Sequence, residues 1–445
     1  MTRLCALLAL LLCWSPAARA ASENRLSQID VLDYRVSIEP DIQNRLLKGS
    51  VTIRFLAKAD DLSSVEFDCG DLVIEAVREK KTALQFQIEQ HHLRISLPPS
   101  QANRAREITI DYHGSPKRGI RFFPERQQVY TVFATSQWMV CIDDPSDKAT
   151  LTIELNLPAE ITAVANGKLV SQRALPNNKV ASLWEQRVPI PSYIFGFAAG
   201  PFQVVSVRNS HVEMRYLFTG YSADEVRRIF RDTTDMLRFF EDRAGVRYAD
   251  RVYTQVLAAG GVEQEMSSFT ALRENYGKQV LANEQDIWLG AHEFAHQWWG
   301  NMVTCQDWTD FWLNEGIATF MAAAYLEHRF GRQSYLREIE SYRRSYEKVR
   351  AAGKEKSLVF PDWKSPTSED RTLVYDKGAY VLHLLREEMG DEAFWKGLQI
   401  FTRRYFGKSV LTPNFTNAMQ KASSKPLQSF FAKWIYAAKI GEADE

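Results

Sequence analysis

From about residue 31 to residue 207 apolar and polar positions alternate in short runs, as in Tyr34-Arg35-Val36-Ser37-Ile38, Ser50-Val51-Thr52-Ile53-Arg54-Phe55 and Leu151-Thr152-Ile153-Glu154-Leu155. A period of two sends successive side chains to opposite faces of an extended chain, so each run predicts a half-buried strand. Pro, Gly, Asn and Asp punctuate the runs, and Asn166-Gly167 adds a hairpin-type turn signal. Near Gly220 the period lengthens. Ser222 and Glu225 have the spacing of a capping box, and Val226, Ile229, Phe230, Thr233, Leu237 and Phe240 then recur at helical spacing until Gly245. A short strand over 252–257, the pair Gly260-Gly261, a helix around residue 292 and another from about residue 315 follow. The rest reads as mostly helical, with Thr412-Pro413 opening a helix that puts Phe415, Met419 and Ala422 on one face. The pattern predicts an α+β chain: a β-rich domain over 21–207, then a mainly helical domain over 208–445.

Composition narrows the class without changing this outline. With 45% hydrophobic and 25% charged residues the chain is globular, and 445 residues are enough for more than one domain. Its 55 basic and 55 acidic residues cancel, and no basic stripe is present, which argues against a nucleic-acid partner. Residues 1–20 read as a secretory signal: Arg3, an apolar run over 4–14, then Ala18-Arg19-Ala20 as a small-x-small site with cleavage after Ala20. Export to a periplasmic or extracellular space is the expectation. No later stretch approaches the roughly 20 apolar residues of a membrane helix, so no integral membrane segment is expected. Beyond the signal, Cys69, Cys141 and Cys305 allow at most one internal disulfide. Nothing in the pattern specifies an oligomeric state.

The chemistry concentrates in His292-Glu293-Phe294-Ala295-His296 and in Glu315, nineteen residues further on. On a helix, positions i and i+4 share a face with Cβ atoms about 5–6 Å apart, so two imidazoles can converge on one metal ion. A carboxylate from a following segment would complete a two-His, one-Glu set, the ligand count of a zinc site that leaves its fourth position to water. With eight histidines, such a motif arises by accident in roughly one chain of this length in a hundred, so its setting matters. The flanks Ile287, Trp288, Leu289, Phe294, Ala295, Trp298 and Trp299 predict a mostly buried helix, in which Glu293 needs a partner. Lying about 100° around the helix from His292, Glu293 can face the open position as a general base. The alternatives are that Glu293 only orients a histidine, and that Cys305 closes a structural four-ligand site.

Several motifs now stand in a definite order: Gly260, Gly261 and Glu263; the His-Glu-x-x-His helix; Trp298-x-Gly300-Asn301; Trp312-Leu313-Asn314-Glu315-Gly316; and Tyr375-Asp376-Lys377-Gly378. In this order the chain resembles the aminopeptidase N and leukotriene hydrolase family of gluzincins. Cys141-Ile142-Asp143-Asp144-Pro145 and Pro191-Ser192-Tyr193-Ile194-Phe195-Gly196-Phe197 are similar to segments of that family's N-terminal domain. The resemblance implies a thermolysin-like catalytic domain with one Zn2+ per chain on His292, His296 and Glu315. It further implies Glu293 as general base, Tyr375 as donor to the oxyanion, and Glu263 as partner of a substrate α-ammonium beside Gly260 and Gly261, where a backbone without side chains can approach a peptide. The expected activity is removal of residues from peptide N-termini. Val262 and Gln264 depart from the usual Met and Asn, and Thr131 falls where a Glu or Gln helps hold the amine. The chain ends soon after Phe430-Phe431-Ala432-Lys433-Trp434, so the family's C-terminal helical domain is expected to be absent. A zinc endopeptidase, a hydrolase of non-peptide substrates on the same site, and a catalytically silent peptide-binding protein are the alternatives.

Overall fold

The computed structural model describes residues 26–98, 102–208, 210–361, 363 and 366–438, so the expected signal over 1–20 lies outside the described residues. Two compact units emerge. Of the described residues, one contains those from 26 to 228 together with Asp250–Gly277; the other contains Ile229–Ala249 and those from 278 to 438. Compactness thus divides the chain along different lines from a linear boundary at 207/208, because residues 250–277 return to a sheet begun before the first helix.

The first unit is built on an eight-stranded sheet. From one edge its strands run Lys168–Leu175, Lys179–Pro191, Lys148–Pro158, Ile29–Asp41, Leu46–Ala57, Ala105–Gly114, Val73–Glu79 and Thr82–Ala83. The central strand Ile29–Asp41 pairs in parallel with Lys148–Pro158 and antiparallel with Leu46–Ala57, so that Val36 lies opposite both Ile153 and Val51. The alternation read from sequence sets the register: Val51, Ile53 and Phe55 are buried together with Ile108, Ile110 and Tyr112 from the neighbouring strand. Burying each such side chain contributes roughly 1.5–3 kcal/mol, and a slip of one residue would expose the whole set.

Asn166-Gly167 is not a hairpin turn. The strands on either side, Thr162–Ala165 and Lys168–Leu175, belong to different sheets, paired with Phe197–Gly200 and Lys179–Pro191 respectively. Long-range contacts override the local signal: the Asn166 amide donates to Ile194 O and Ser267 O, and its Oδ1 accepts from Gly196 N. Gly167 has φ +79°, and a Cβ there would lie 2.0 Å from Glu185 O.

A four-stranded sheet completes what positions the first group of motifs. Glu213–Phe218, Val252–Ala258 and Phe269–Arg273 run parallel, with Gln203–Val207 antiparallel at the edge. The connection from Ala258 to Phe269 carries Gly260, Gly261 and Glu263. It folds back along the last strand through a Gln264–Ala271 bridge, which brings Glu263 to the end of that strand beside Arg273.

The second unit is mainly helical and centres on Trp312–Phe330, buried from Trp312 to Leu326. Trp288–Ala295, Arg332–Ala351 and Gly378–Met389 pack against it. The helix expected to run unbroken to Gly245 is interrupted: Ala223–Ile229 ends, and Thr233–Ala244 begins after Asp232, whose carboxylate accepts from Arg329 Nε at 2.8 Å. Its apolar positions Val226, Ile229, Phe230, Leu237 and Phe240 are nonetheless all buried. Ser222 and Glu225 form the expected box, with Glu225 N donating to Ser222 Oγ and Ser222 N to Glu225 Oε2. The helix opened by Thr412-Pro413 runs Thr412–Ala422. Among the described residues no helix is long and apolar enough to cross a membrane. Cys69, Cys141 and Cys305 are buried and form no disulfide, and burial raises the Cys69 pKa to about 12.

Candidate metal centre and active site

The motif helix is short, Trp288–Ala295, and His296 caps it with its N–H directed to His292 O. That single turn brings the imidazoles edge to face at 4.6 Å, with Nε2 to Nε2 3.1 Å. Glu315, in the first turn of Trp312–Phe330, places Oε2 at 3.5 Å from His292 Nε2 and 3.4 Å from His296 Nε2. A tetrahedral ion with ligands at about 2.0–2.1 Å requires donor separations of about 3.3–3.4 Å, so this triangle has the size of a zinc site. The donor set fits as well. His296 Nδ1 lies 3.0 Å from Trp299 O, which can only accept, so Nδ1 carries the proton and Nε2 presents a lone pair. Burial lowers the His292 pKa to about 4, keeping that imidazole neutral near pH 7 although Glu315 acts against the shift. Burial pushes Glu315 up, but the two imidazoles outweigh it and hold the carboxyl below the usual range. Glu315 Oε2 is buried without a hydrogen bond, an oxygen suited to a cation. Among the described residues these three form the group able to hold a metal, and Cys305 is not in it.

Neighbouring residues lock the ligands. A Cβ at Gly300 would lie 2.8 Å from His296 Nδ1, so the glycine leaves room for that ring. His292 Nδ1 has Thr319 Oγ1 at 3.4 Å, and the indole of Trp288 stacks on its imidazole at 4.9 Å and 15°. Trp288 is itself held, its Nε1 donating to Tyr342 Oη at 2.6 Å. Sequence reading placed Trp288 only in a buried flank and missed Thr319; the i−4 spacing of Trp288 from His292 was the available signal.

Glu293 is buried on the same helix. Tyr375 lies in a π-helical turn, Leu373–Lys377, and its half-buried ring is near-parallel to the His292 imidazole at 6.0 Å and 24°. Two glycines make that approach possible. A Cβ on Gly316 would meet Val374 O at 3.0 Å and Gly378 Cα at 3.1 Å, and one on Gly378 would meet Gly316 Cα at 3.0 Å. Helix backbones that close tie the turn bearing Tyr375 to the turn bearing Glu315. Lys377, fully buried, anchors the π-turn by donating to Lys356 O at 2.8 Å and pairing with Glu355 at 3.3 Å.

In the first unit, Gly260 adopts φ +92°, and a Cβ there would strike Phe123 at 2.7 Å, where Phe123 stacks on Tyr130. Gly261 faces open space. Glu263 is 2% exposed, and its Oε1 lies 3.1 Å from Arg273 Nε. Burial raises the Glu263 pKa, with Arg273 opposing. The Thr131 hydroxyl is committed to the backbone of Phe197, accepting from its N at 3.0 Å and donating to its O at 3.3 Å.

Residues 230–434 match the Peptidase family M1 domain and residues 31–194 the Peptidase M1 N-terminal domain. The chain is 25% identical over 370 residues to the glutamyl aminopeptidase of Homo sapiens, covering 76% of this chain and 38% of that protein. It is 23% identical over 430 residues to the probable aminopeptidase 2 of Sulfurisphaera tokodaii, covering 92% of this chain and 53% of that one. It therefore spans about half or less of these curated relatives. Among solved structures, a mutant M1 zinc metallopeptidase from Deinococcus radiodurans bound to a Tyr-Ser-Ala substrate superposes with a TM-score of 0.79 at 23% identity, over 94% of this chain and 96% of that one.

Proposed function

Because the chain belongs to peptidase family M1, the aminopeptidase N family, we propose that it is a zinc-dependent aminopeptidase that removes residues from the amino termini of peptides. The observation that carries this reading is the buried convergence of His292, His296 and Glu315 in a triangle of zinc-site size. Held by these residues, zinc would supply Lewis acidity, acidifying a water and polarising a scissile carbonyl. Glu293 takes the proton of the attacking water and passes it to the leaving amine. The Tyr375 hydroxyl donates a hydrogen bond to the oxygen on which charge develops. Glu263 accepts the α-ammonium of the substrate, an assignment supported by its place in the Gly260-Gly261 segment. The tripeptide held by the solved relative supports a peptide substrate.

The test is metal analysis of the purified protein together with kcat/KM on matched free and N-acetylated peptides. One zinc per chain, loss of turnover on its removal, and faster cleavage of free peptides are expected. Equal zinc-dependent rates on free and acetylated peptides would replace this reading with an endopeptidase. Turnover of non-peptide substrates alone would replace it with another hydrolase, and zinc without turnover with a binding protein. Residues 1–20 support export, so the amino terminus of protein recovered outside the cytoplasm should be Ala21; a cytoplasmic protein beginning at Met1 would refute it.

A further inference from the structure

The carboxylate assigned to the substrate amine already has a cation beside it. Glu263 Oε1 and Arg273 Nε are 3.1 Å apart and buried, yet neither atom takes part in an aligned hydrogen bond. The contact neutralises charge without using up the carboxylate's acceptor capacity, and an ammonium carries three N–H donors that could fill it. Charge, however, counts against that guest. Glu263 and Arg273 sum to zero, so an arriving ammonium is a second cation on one carboxylate, in surroundings where an uncompensated charge is costly. Thr131 offers no relief, because its hydroxyl is spent on Phe197.

We propose that Arg273 is a specificity-determining residue that competes with the substrate's α-ammonium for Glu263 and so limits how far this enzyme favours a free amino terminus over a blocked or uncharged one. The proposal rests on the assignment of Glu263 to the amine. It runs opposite to the other role an arginine could have there, that of keeping the carboxylate ionised and thereby aiding amine binding.

The experiment measures kcat/KM at pH 7.5, where the peptide α-amine remains largely protonated, for a peptide and its N-acetyl twin. The enzymes are wild type, Arg273→Gln, Arg273→Lys, Glu263→Gln and the Glu263→Gln/Arg273→Gln double variant. The free-to-acetylated ratio should rise about tenfold in Arg273→Gln, the scale of one charge-assisted contact. It should stay near wild type in Arg273→Lys, and collapse equally in Glu263→Gln and the double variant. An unchanged or lower ratio in Arg273→Gln, alongside collapse in Glu263→Gln, overturns the role of Arg273 and leaves the amine assignment standing. A Glu263→Gln ratio equal to wild type overturns both. Wild type gives a check free of any folding defect in the variants: a des-amino peptide should lose no more than about tenfold against its parent, and a greater loss overturns the competition.

Discussion

Two buried glutamates, Glu315 and Glu263, stand equally deep, each 2% exposed and each beside nitrogen groups, yet they are prepared for opposite events. Glu315 faces His292, which burial keeps neutral, and His296, whose Nδ1 is engaged by Trp299 O so that Nε2 is the nitrogen turned to the carboxylate; the cluster gathers donor atoms and a negative charge at one point, which suits a cation. Glu263 faces a guanidinium that is always charged, so its cluster is already balanced. The difference is in the partner's titration. A histidine withdrawn from water gives up its proton and becomes a ligand, whereas an arginine withdrawn from water keeps its charge and becomes a competitor. One site should bind its cation strongly, the other weakly and with exchange.

Substitutions at the metal centre should separate chemistry from binding, and they carry the largest effects. Glu293→Gln should retain zinc by metal analysis while turnover falls by about 10²–10⁴-fold, because the base is lost and the ligands remain. His292→Ala, His296→Ala and Glu315→Ala should lose zinc as well. Wild-type turnover in Glu293→Gln would show that this carboxylate only orients a histidine.

Tyr375→Phe should lower kcat and kcat/KM together by roughly 10²–10³-fold, as expected for a donor engaged only in the transition state. Zinc content should not change. A raised KM at constant kcat would place the hydroxyl in ordinary substrate binding.

A smaller effect tests how the neutral imidazole is held. Trp288→Leu removes the stacked indole without touching a ligand, and zinc should pass to a chelator about tenfold faster, the lower end for loss of a group that orients a metal ligand. Trp288→Phe should keep most of the retention, because a ring remains. Unchanged transfer in Trp288→Leu would mean that Thr319 and the backbone suffice to orient His292.

A last effect, on stability rather than on turnover or metal exchange, concerns the protonation of His292. In metal-free protein the His292 term should withdraw about 3 kcal/mol as pH falls from 6.5 to 4, read as the difference between wild type and His292→Gln, since His292 titrates near 6.5 when unfolded and at about 4 when folded. The sign follows from the lowered pKa: the unfolded state binds the proton first, so the contribution is present above 6.5 and lost on acidification. Glu263, with its pKa raised, contributes with the opposite sign, favouring the fold at low pH and losing that contribution as pH rises. Denaturant titrations of metal-free wild type and His292→Gln over this range check the first term; identical pH dependence would show that His292 is not held neutral.

How much of this was legible in the residues depends on how local the cause is. Alternation placed Val51, Ile53 and Phe55 on the buried face correctly, because side-chain direction in a strand has a period of two whatever lies opposite. The pairing of His292 with His296 is likewise a property of one helical turn. Asn166-Gly167 misled because the amide of Asn166 is bonded to Ile194, Gly196 and Ser267, groups remote in sequence. At the helix break, too, the residue before the second helix, Asp232, is bonded to an arginine almost a hundred residues away, a contact that spacing along the chain does not announce.

By itself, then, the sequence determined the strand faces, the helical pairing of the two imidazoles and the chemical identity of each candidate ligand, all of which follow from spacing along one element. Only the tertiary structure decided that Glu315 closes the triangle through helices brought together at Gly316 and Gly378, that Trp288 and Thr319 hold His292, and that Arg273 stands beside Glu263. The physical reason is that desolvation and charge pairing act through space: whether a buried carboxylate awaits a cation or already has one depends on which remote side chain the fold delivers to it.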